Sequence, residues 1–261
     1  VRPSAAAAPR FAAMSAPSRA RPGRGTPRHT LTRVTTQKIG GMSWESSAQY
    51  YRLANELVRA RLGGLHSARI VLASVDFAEI ERLQVAGEWD DAGELLAQEA
   101  RGLEAAGADL LLICTNTMHK VAGAVEAAVD IPLLHLGDAT AQAVLRAGIS
   151  DVGLLGTAFT MEQDFYVDRL SGHGLDVVLP APEDRTRVSE IIYDELCLGV
   201  VRDESRVFYL DVIRRLEADG AEGVILGCTE IELLVDQSHV ALPVFPTMAL
   251  HAQAAVNLAL E

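Results

Sequence analysis

The chain has 261 residues, 49% hydrophobic content and a formal net charge of −12, so it can bury one large core or two of ordinary size. No apolar run approaches the roughly 18–20 residues needed to span a bilayer, and three cysteines do not make a disulfide framework. An odd count without a secretory hydrophobic segment points to reduced thiols and a soluble, cytoplasmic protein.

The charge is unevenly spread. Residues 1–38 carry seven arginines and Lys38 with no acidic residue, and the first acid is Glu45. The rest holds 15 basic against 35 acidic residues, which lacks the basic footprint of a nucleic-acid binder. Neither nucleic acid nor membrane is an expected partner, and an anionic ligand would need local donors against a repulsive field. Residues 1–37 read as a disordered basic leader rich in Ala, Pro, Ser and Arg. An acid-free, Arg-rich stretch also fits a transit peptide. An over-long start of a GC-rich reading frame fits better, given a first residue Val and only two lysines against 21 arginines.

From Lys38 onward apolar runs alternate with amphipathic stretches. The expected strands are 38–42, 69–75, 109–115 and 131–137, then 151–157, 176–182, 223–229 and 243–248. Near-continuous apolar runs of this length suit parallel strands covered on both faces. Residues 44–62 place Tyr50, Leu53, Ala54, Leu57, Val58 and Leu62 on one helical face. Thr160 with Gln163 reads as a capping box opening one helix. Asp90 and Asp138 are candidate N-caps, and Gly107, Gly148 and Gly220 sit where helices should end. Alternating βα units predict an α/β fold. The expected architecture is two pseudo-symmetric lobes, each a four-stranded mostly parallel sheet flanked by helices, with the active site in the cleft between them. The first lobe would be 38–140, with 243–261 returning to it, and the second 141–242.

The duplication is visible in the residues. "LEAAGADLLLICT" (103–115) and "LEADGAEGVILGC" (216–228) align without a gap at an offset of 113. Cys114 then falls on Gly227 and Thr115 on Cys228. A slip of one residue on a strand turns a side chain to the opposite face. Symmetric lobes would therefore pair Cys228 with Thr115, not Cys114.

Ligands of open α/β sheets bind beyond the carboxyl ends of the strands, where Cys114 to Thr117 and Cys228 to Glu230 fall. Helix N-termini there would suit a carboxylate and lower a thiol's pKa. Two lobes could present one proton-transfer group to each side of a trapped carbon, the requirement for racemisation, with backbone N–H groups and small hydroxyls holding the enediolate. An isolated cysteine ending an apolar strand is more often a small buried hydrophobe; the duplicated setting reverses that for Cys228 but not for Cys114. Cys197 reads as core, and His135 as a satisfied core histidine in a strand; His119 stays open. "GGMSW" (40–44) is too short for a dinucleotide fingerprint, and its glycines suit a tight turn at the cleft. Lys38 and Lys120 are a thin supply of Schiff-base lysines, and no cluster has zinc spacing. Proton transfer with no cofactor and no metal is the simplest expectation.

"KIGGMSW", "CTNTMH", "LLGTAFTMEQDFY" and "GCTEIELL" together resemble the aspartate/glutamate racemase family of cofactor-independent amino-acid racemases, in its bacterial aspartate/glutamate or broad-specificity branch. The resemblance covers residues 38–261 and implies two α/β lobes, a homodimer and an amino-acid substrate. The family's first catalytic motif is Cys-Asn-Thr-x-His. Asn116, Thr117 and His119 match it, which puts Thr115 in the place of the first catalytic cysteine, while Cys228 matches the second. The same carry-over makes Met42, Gln84, Asn116, Thr117, Thr157, Thr229 and Glu230 candidate substrate-binding residues. Members acting on acidic substrates carry basic groups after the second strand and near residue 198. Here "SVDFAEIE" and "DELCLG" carry no Lys or Arg at the tip, so either Arg185 or Arg187 reaches in from a loop or the pocket takes a neutral side chain. The alternatives are a single-cysteine isomerase or decarboxylase of a small dicarboxylate on the same scaffold, or a non-catalytic amino-acid-binding protein.

Overall fold

The structure, a computed structural model, describes residues 36–261; the expected leader falls outside the described residues up to position 35. In chain order the elements are β1 Thr36–Gly40, α1 Trp44–Leu62, β2 Ile70–Ser74, α2 Phe77–Ala86, α3 Trp89–Ala105, β3 Leu110–Ile113, α4 Ala122–Glu126 and α5 Leu136–Arg146. They continue with β4 Asp151–Gly156, α6 Ala158–Glu162, α7 Asp164–Gly172, β5 Asp176–Val178, α8 Pro182–Asp194, α9 Asp203–Ala218, β6 Gly223–Gly227, β7 Val244–Pro246 and α10 Thr247–Leu260. Single 3₁₀ turns occupy Thr117–Val121, Leu196–Leu198 and Thr229–Leu233. No helix among the described residues is long and apolar enough to cross a membrane.

Two parallel sheets form, in the orders β2-β1-β3 and β5-β4-β6-β7. In the first, the stretch expected as a fourth strand pairs through a single parallel bridge, Leu111 with Leu133. Pro132 has no N–H to extend that ladder, and His135 three residues on turns away to start α5. With that bridge counted, both halves run in the same spatial order. The offset also holds: α3 ends at Ala105 and α9 at Ala218, and β3 begins at Leu110 and β6 at Gly223, each pair 113 residues apart. β1 starts at Thr36, two residues before the expected boundary.

Period-2 alternation along β3 sorts its side chains into two layers. Leu111 and Ile113 pack with Ile80 and Leu83 of α2 and Leu96 and Ala100 of α3. Leu110, Leu112 and Cys114 pack instead with Tyr50 of α1 and with Met248, Ala252 and Ala255 of α10. The second sheet buries Val152, Leu154, Val224 and Leu226 among Tyr166, Ile192, Tyr209 and Leu216. β7 stays in the second sheet beside β6, while the helix after it lies against α1, with Val256 on Ala54 and Val58.

Three expected caps move. The position before α3 is Glu88, which leaves Asp90 in the first turn of that helix. Thr157, not Thr160, caps the helix after β4, its side chain accepting from the Thr160 N–H. The expected single helix breaks into α6 and α7 at Gln163, which is extended (φ −102°, ψ 140°) and accepts from Lys120 Nζ. At α5 the cap is His135, whose Nδ1 accepts from the Gly137 N–H at 3.1 Å. That leaves Asp138 in the first turn, and makes His135 a cap rather than a strand residue. Gly107, Gly148 and Gly220 all take positive φ just past helix ends, as expected.

Candidate active site

The carboxyl ends of β1, β3, β4 and β6 converge on one cleft, which encloses about 380 Å³ of empty space partly open to solvent. Two glycines let the backbone close it. Gly41 has φ +96°, and a Cβ there would meet the Val75 carbonyl oxygen at 2.2 Å. At Gly227, just before Cys228, a Cβ would lie 2.8 Å from the Leu155 carbonyl oxygen.

All nine residues singled out from the sequence line this cleft. Met42 comes after β1, Gln84 lies on α2, Thr115, Asn116 and Thr117 come after β3, Thr157 after β4, and Cys228, Thr229 and Glu230 after β6. Cys114 does not line it and lies in the layer beneath α1 and α10. The alternation along β3 carries on to the tip, so Thr115 opens to the cleft and its neighbour is core. The 3₁₀ turns after the tips begin at Thr117 and Thr229, 112 residues apart. The first lobe therefore has one extra residue at its tip, Asn116, without a counterpart in the second.

Glu230 organises the second tip. Its Oε1 accepts from Ser43 Oγ and Ser46 Oγ, each at 2.7 Å, and its Oε2 from Cys228 Sγ at 3.0 Å and Thr229 Oγ1 at 2.8 Å. Ser43 is also the N-cap of α1, so the start of that helix and the second tip are fastened to one carboxyl group. The Ser46 and Thr229 hydroxyls are hydrogen-bonded to each other. Burial, and then the Glu230 carboxylate, push the Cys228 thiol well above its ordinary value. This reverses the lowered pKa expected from a helix N-terminus. Immediately after Cys228 the chain forms a five-residue 3₁₀ turn with little dipole to offer, and the nearest charge is negative. The resting cysteine is a thiol that donates to Glu230.

At the first tip, Asn116 Nδ2 donates to Thr247 Oγ1 at 3.0 Å, and Thr247 Oγ1 donates to the Leu226 carbonyl at 2.9 Å. That chain of donors fixes the amide's orientation. Asn116 Oδ1 and Gln84 Oε1 are buried with no hydrogen-bond partner, on side chains only 3% and 4% exposed. Two orphaned acceptors on the lining of one cleft call for N–H or O–H donors from a ligand. The Thr117, Thr157 and Thr160 hydroxyls form a triangle with edges of 3.1, 3.2 and 3.4 Å.

His119 settles as a support. Its Nε2 accepts the Leu136 N–H at 3.1 Å, so the proton is on Nδ1, which donates to the Thr115 carbonyl at 2.7 Å. Burial, then His135, whose ring centre is 4.4 Å away, lower its pKa to about 3.

Phe77, Ile192, Tyr193 and Cys197 also line the cleft and escaped the sequence reading. Cys197, expected in the core, is half-buried. α8 ends at Asp194, and a 3₁₀ turn over Leu196–Leu198 re-aims the side chain. The signal was available in Gly199, which takes the left-handed conformation that closes such a turn. Burial, then Glu230, push the Cys197 thiol up to about 12.

Among the described residues, no Lys, Arg or His lines the cleft. Arg185 and Arg187 lie on helix α8 rather than in a loop. Arg185 Nε faces Glu162 at 3.6 Å, and Arg187 faces Glu190 at 3.1 Å. Lys120 sits over the Trp89 ring, 4.4 Å from its centre. No group of three or more His, Cys, Asp or Glu able to hold a metal occurs among the described residues.

Two matched α/β lobes, with a thiol at one strand tip and a hydroxyl at the other lining the same cleft, define a two-lobed cleft protein. The chain belongs to the Asp/Glu/Hydantoin racemase family, whose sequence profile matches residues 39–255. It is similar to a candidate Asp/Glu racemase from Yersinia pestis, at 54% identity and a TM-score of 0.82, over 87% of this chain and 99% of that one. An aspartate racemase homologue from Pyrococcus horikoshii is 33% identical with a TM-score of 0.77, over 87% and 99%. Aspartate racemase from Picrophilus torridus shares the fold at 20% identity and a TM-score of 0.70, over 86% and 93%.

Proposed function

We propose that this protein is a cofactor-independent amino-acid racemase that moves the α-proton between two faces of a substrate held in the cleft. Cys228 serves one face and Thr115, directly or through a water, the other. The observation that carries this reading is the placement of Cys228 and Thr115 at equivalent strand ends of two repeated lobes, both lining one cleft.

Asn116 Oδ1 and Gln84 Oε1 are the acceptors for the substrate's ammonium group, and the threonine hydroxyls with the tip backbone hold its carboxylate. The ammonium also supplies the positive charge that the cleft lacks. Bound beside Cys228, it draws the thiol toward thiolate by passing the Sγ proton to Glu230, to which that thiol already donates.

The wall formed by Phe77, Ile192 and Tyr193 faces the substrate side chain. A second carboxylate there would have no cation to pair with and Glu230 to repel it, so the preferred substrates carry neutral side chains. Thr115 in place of a second thiol also supports a second reading, a single-cysteine isomerase or decarboxylase in which Cys228 alone delivers a proton.

Proton NMR of neutral and acidic L-amino acids in D₂O separates the two readings. Loss of the α-proton signal with chiral inversion, abolished in Cys228→Ser, supports the racemase. Absence of exchange on every amino acid overturns it in favour of the single-cysteine reading.

A further inference from the structure

Glu230 borders two cavities. The second encloses about 540 Å³ of empty space partly open to solvent and is lined by Glu45, Ser46 and Arg52 of α1, Glu230 and Glu232 of the 3₁₀ turn, and Met248 of α10. Thr229 and Glu230 line both cavities. Hydrogen bonds run from one to the other without a break. Cys228 Sγ donates to Glu230 Oε2, Ser46 Oγ donates to Glu230 Oε1, and Ser46 faces the second cavity. Glu232 stands there with Oε1 accepting the Met248 N–H at 3.2 Å.

Two-sided proton transfer creates a need for such a path. When Cys228 delivers its proton, the Sγ–H bond breaks, a C–H bond forms on the substrate carbon, and a thiolate is left. A second turnover in the same direction cannot begin until a proton from elsewhere returns to Sγ. Cys228 is only 8% exposed, so bulk water has little direct access to it. Resting on the racemase reading above, we propose that Glu230, Ser46 and Glu232 form a proton conduit that reloads Cys228 from the second cavity between turnovers. In that conduit, solvent entering the open cavity would bridge Glu232 and Glu230, which both line it. Each reloading moves one proton inward, from solvent in the second cavity to Glu232, then to Glu230 beside Ser46 Oγ, and from Glu230 to the thiolate. The proton taken up at the opposite face leaves to solvent through the open cleft, with no change in oxidation state.

The charges around Glu232 suit a relay terminus. Glu45 and Glu230 face the cavity as acids and Arg52 as its one cation among the described lining residues. Burial, with a smaller push from Glu230 and against the Met248 N–H, brings the Glu232 carboxyl up to about 7, where it exchanges protons at neutral pH.

The test is steady-state kinetics of Glu232→Gln in the full chain, on an amino acid that the wild type inverts. Reloading of the free enzyme enters kcat but not kcat/KM. The variant is therefore expected to lose on the order of ten-fold in kcat with kcat/KM unchanged, together with the kcat inflection near pH 7; Glu232→Asp should restore both. Equal loss of kcat and kcat/KM would mark a structural role and overturn the conduit, as would an unchanged kcat. A wild type that exchanges no α-proton removes the racemase reading and the conduit together. A wild type that inverts normally beside an unaffected Glu232→Gln removes the conduit alone.

Discussion

Asn116 Nδ2 and Thr247 Oγ1 are hydrogen-bonded at 3.0 Å across 131 residues of sequence, which fixes the direction in which the amide presents its other atom. Oδ1 is thereby left as an unpartnered acceptor on a residue lining the cleft, the place proposed above for the substrate's ammonium. Asn116→Ala should raise KM about ten-fold, the ~1.4 kcal/mol of one good hydrogen bond, while global stability falls by only about 1 kcal/mol. Substrate titration beside urea unfolding checks both. A KM within two-fold of wild type would show that the amide does not meet the substrate.

Cys228→Ser keeps a hydroxyl to donate to Glu230 but removes the only thiol at either strand tip that lines the cleft. Racemisation should fall by about 10²-fold or more, the ordinary worth of a positioned acid or base, with an unchanged fold. Chiral chromatography of the products and circular dichroism of the variant read the two parts separately.

At the opposite tip the expected order of activity is Thr115→Cys, then wild type, then Thr115→Ala. A hydroxyl is a far weaker acid than a thiol near neutral pH, so Thr115→Ala should cost on the order of 10²-fold and Thr115→Cys should gain. Enantiomers have equal free energies, so kcat/KM must change equally in both directions. Only kcat and KM taken separately can show an asymmetry between the tips. Full racemisation by Thr115→Ala would remove this residue from the mechanism.

Acid sensitivity arises from the buried histidines. Burial holds His119 at about 3, and burial, then Arg169, hold His135 at about 4, both below the 6.5 of an unfolded chain. Between those values the unfolded state binds more protons, so stability falls as pH drops from about 6.5 toward 3–4. The slope is up to about 1.4 kcal/mol per pH unit for each group. Above about pH 7 these histidines contribute no pH dependence. Urea midpoints across pH 4–8 measure the slope, and His119→Asn should flatten it.

Gly41→Ala places a methyl group 2.2 Å from the Val75 carbonyl in a backbone with φ +96°. The cost should reach about 2–4 kcal/mol. Because Gly41 N–H also bonds Ser47 Oγ at 2.7 Å, the approach of Met42 and Ser43 to the cleft should loosen with it. Thermal unfolding and KM together report the two effects.

Much of this site was legible because it lies on strands, where period and register are set by the residues. The 113-residue offset alone paired Thr115 with Cys228, and the packing of Cys114 under α10 obeys the same alternation. α1 was bounded at Trp44 and Leu62 by its apolar face. What the chain hid was tertiary. No local pattern says that Glu230 will collect Ser43 and Ser46 from 184 or more residues away, or that burial, and then Glu230, will turn an expected thiolate into a resting thiol. Cys197 was misplaced because a helical period was extended through Glu195, where the backbone leaves the helix (φ −126°, ψ −66°).

The path of the C-terminal segment bears on how the molecule comes apart. β7 is hydrogen-bonded to β6, yet α10, joined to it with no intervening residue, is buried on Tyr50, Ala54 and Val58 of α1. Neither half can shed this segment without exposing the other's apolar surface. The described chain should therefore melt in one cooperative transition rather than lobe by lobe. Shortening it before Val244 should take both halves down together, including the first, which by then would already have been synthesised in full.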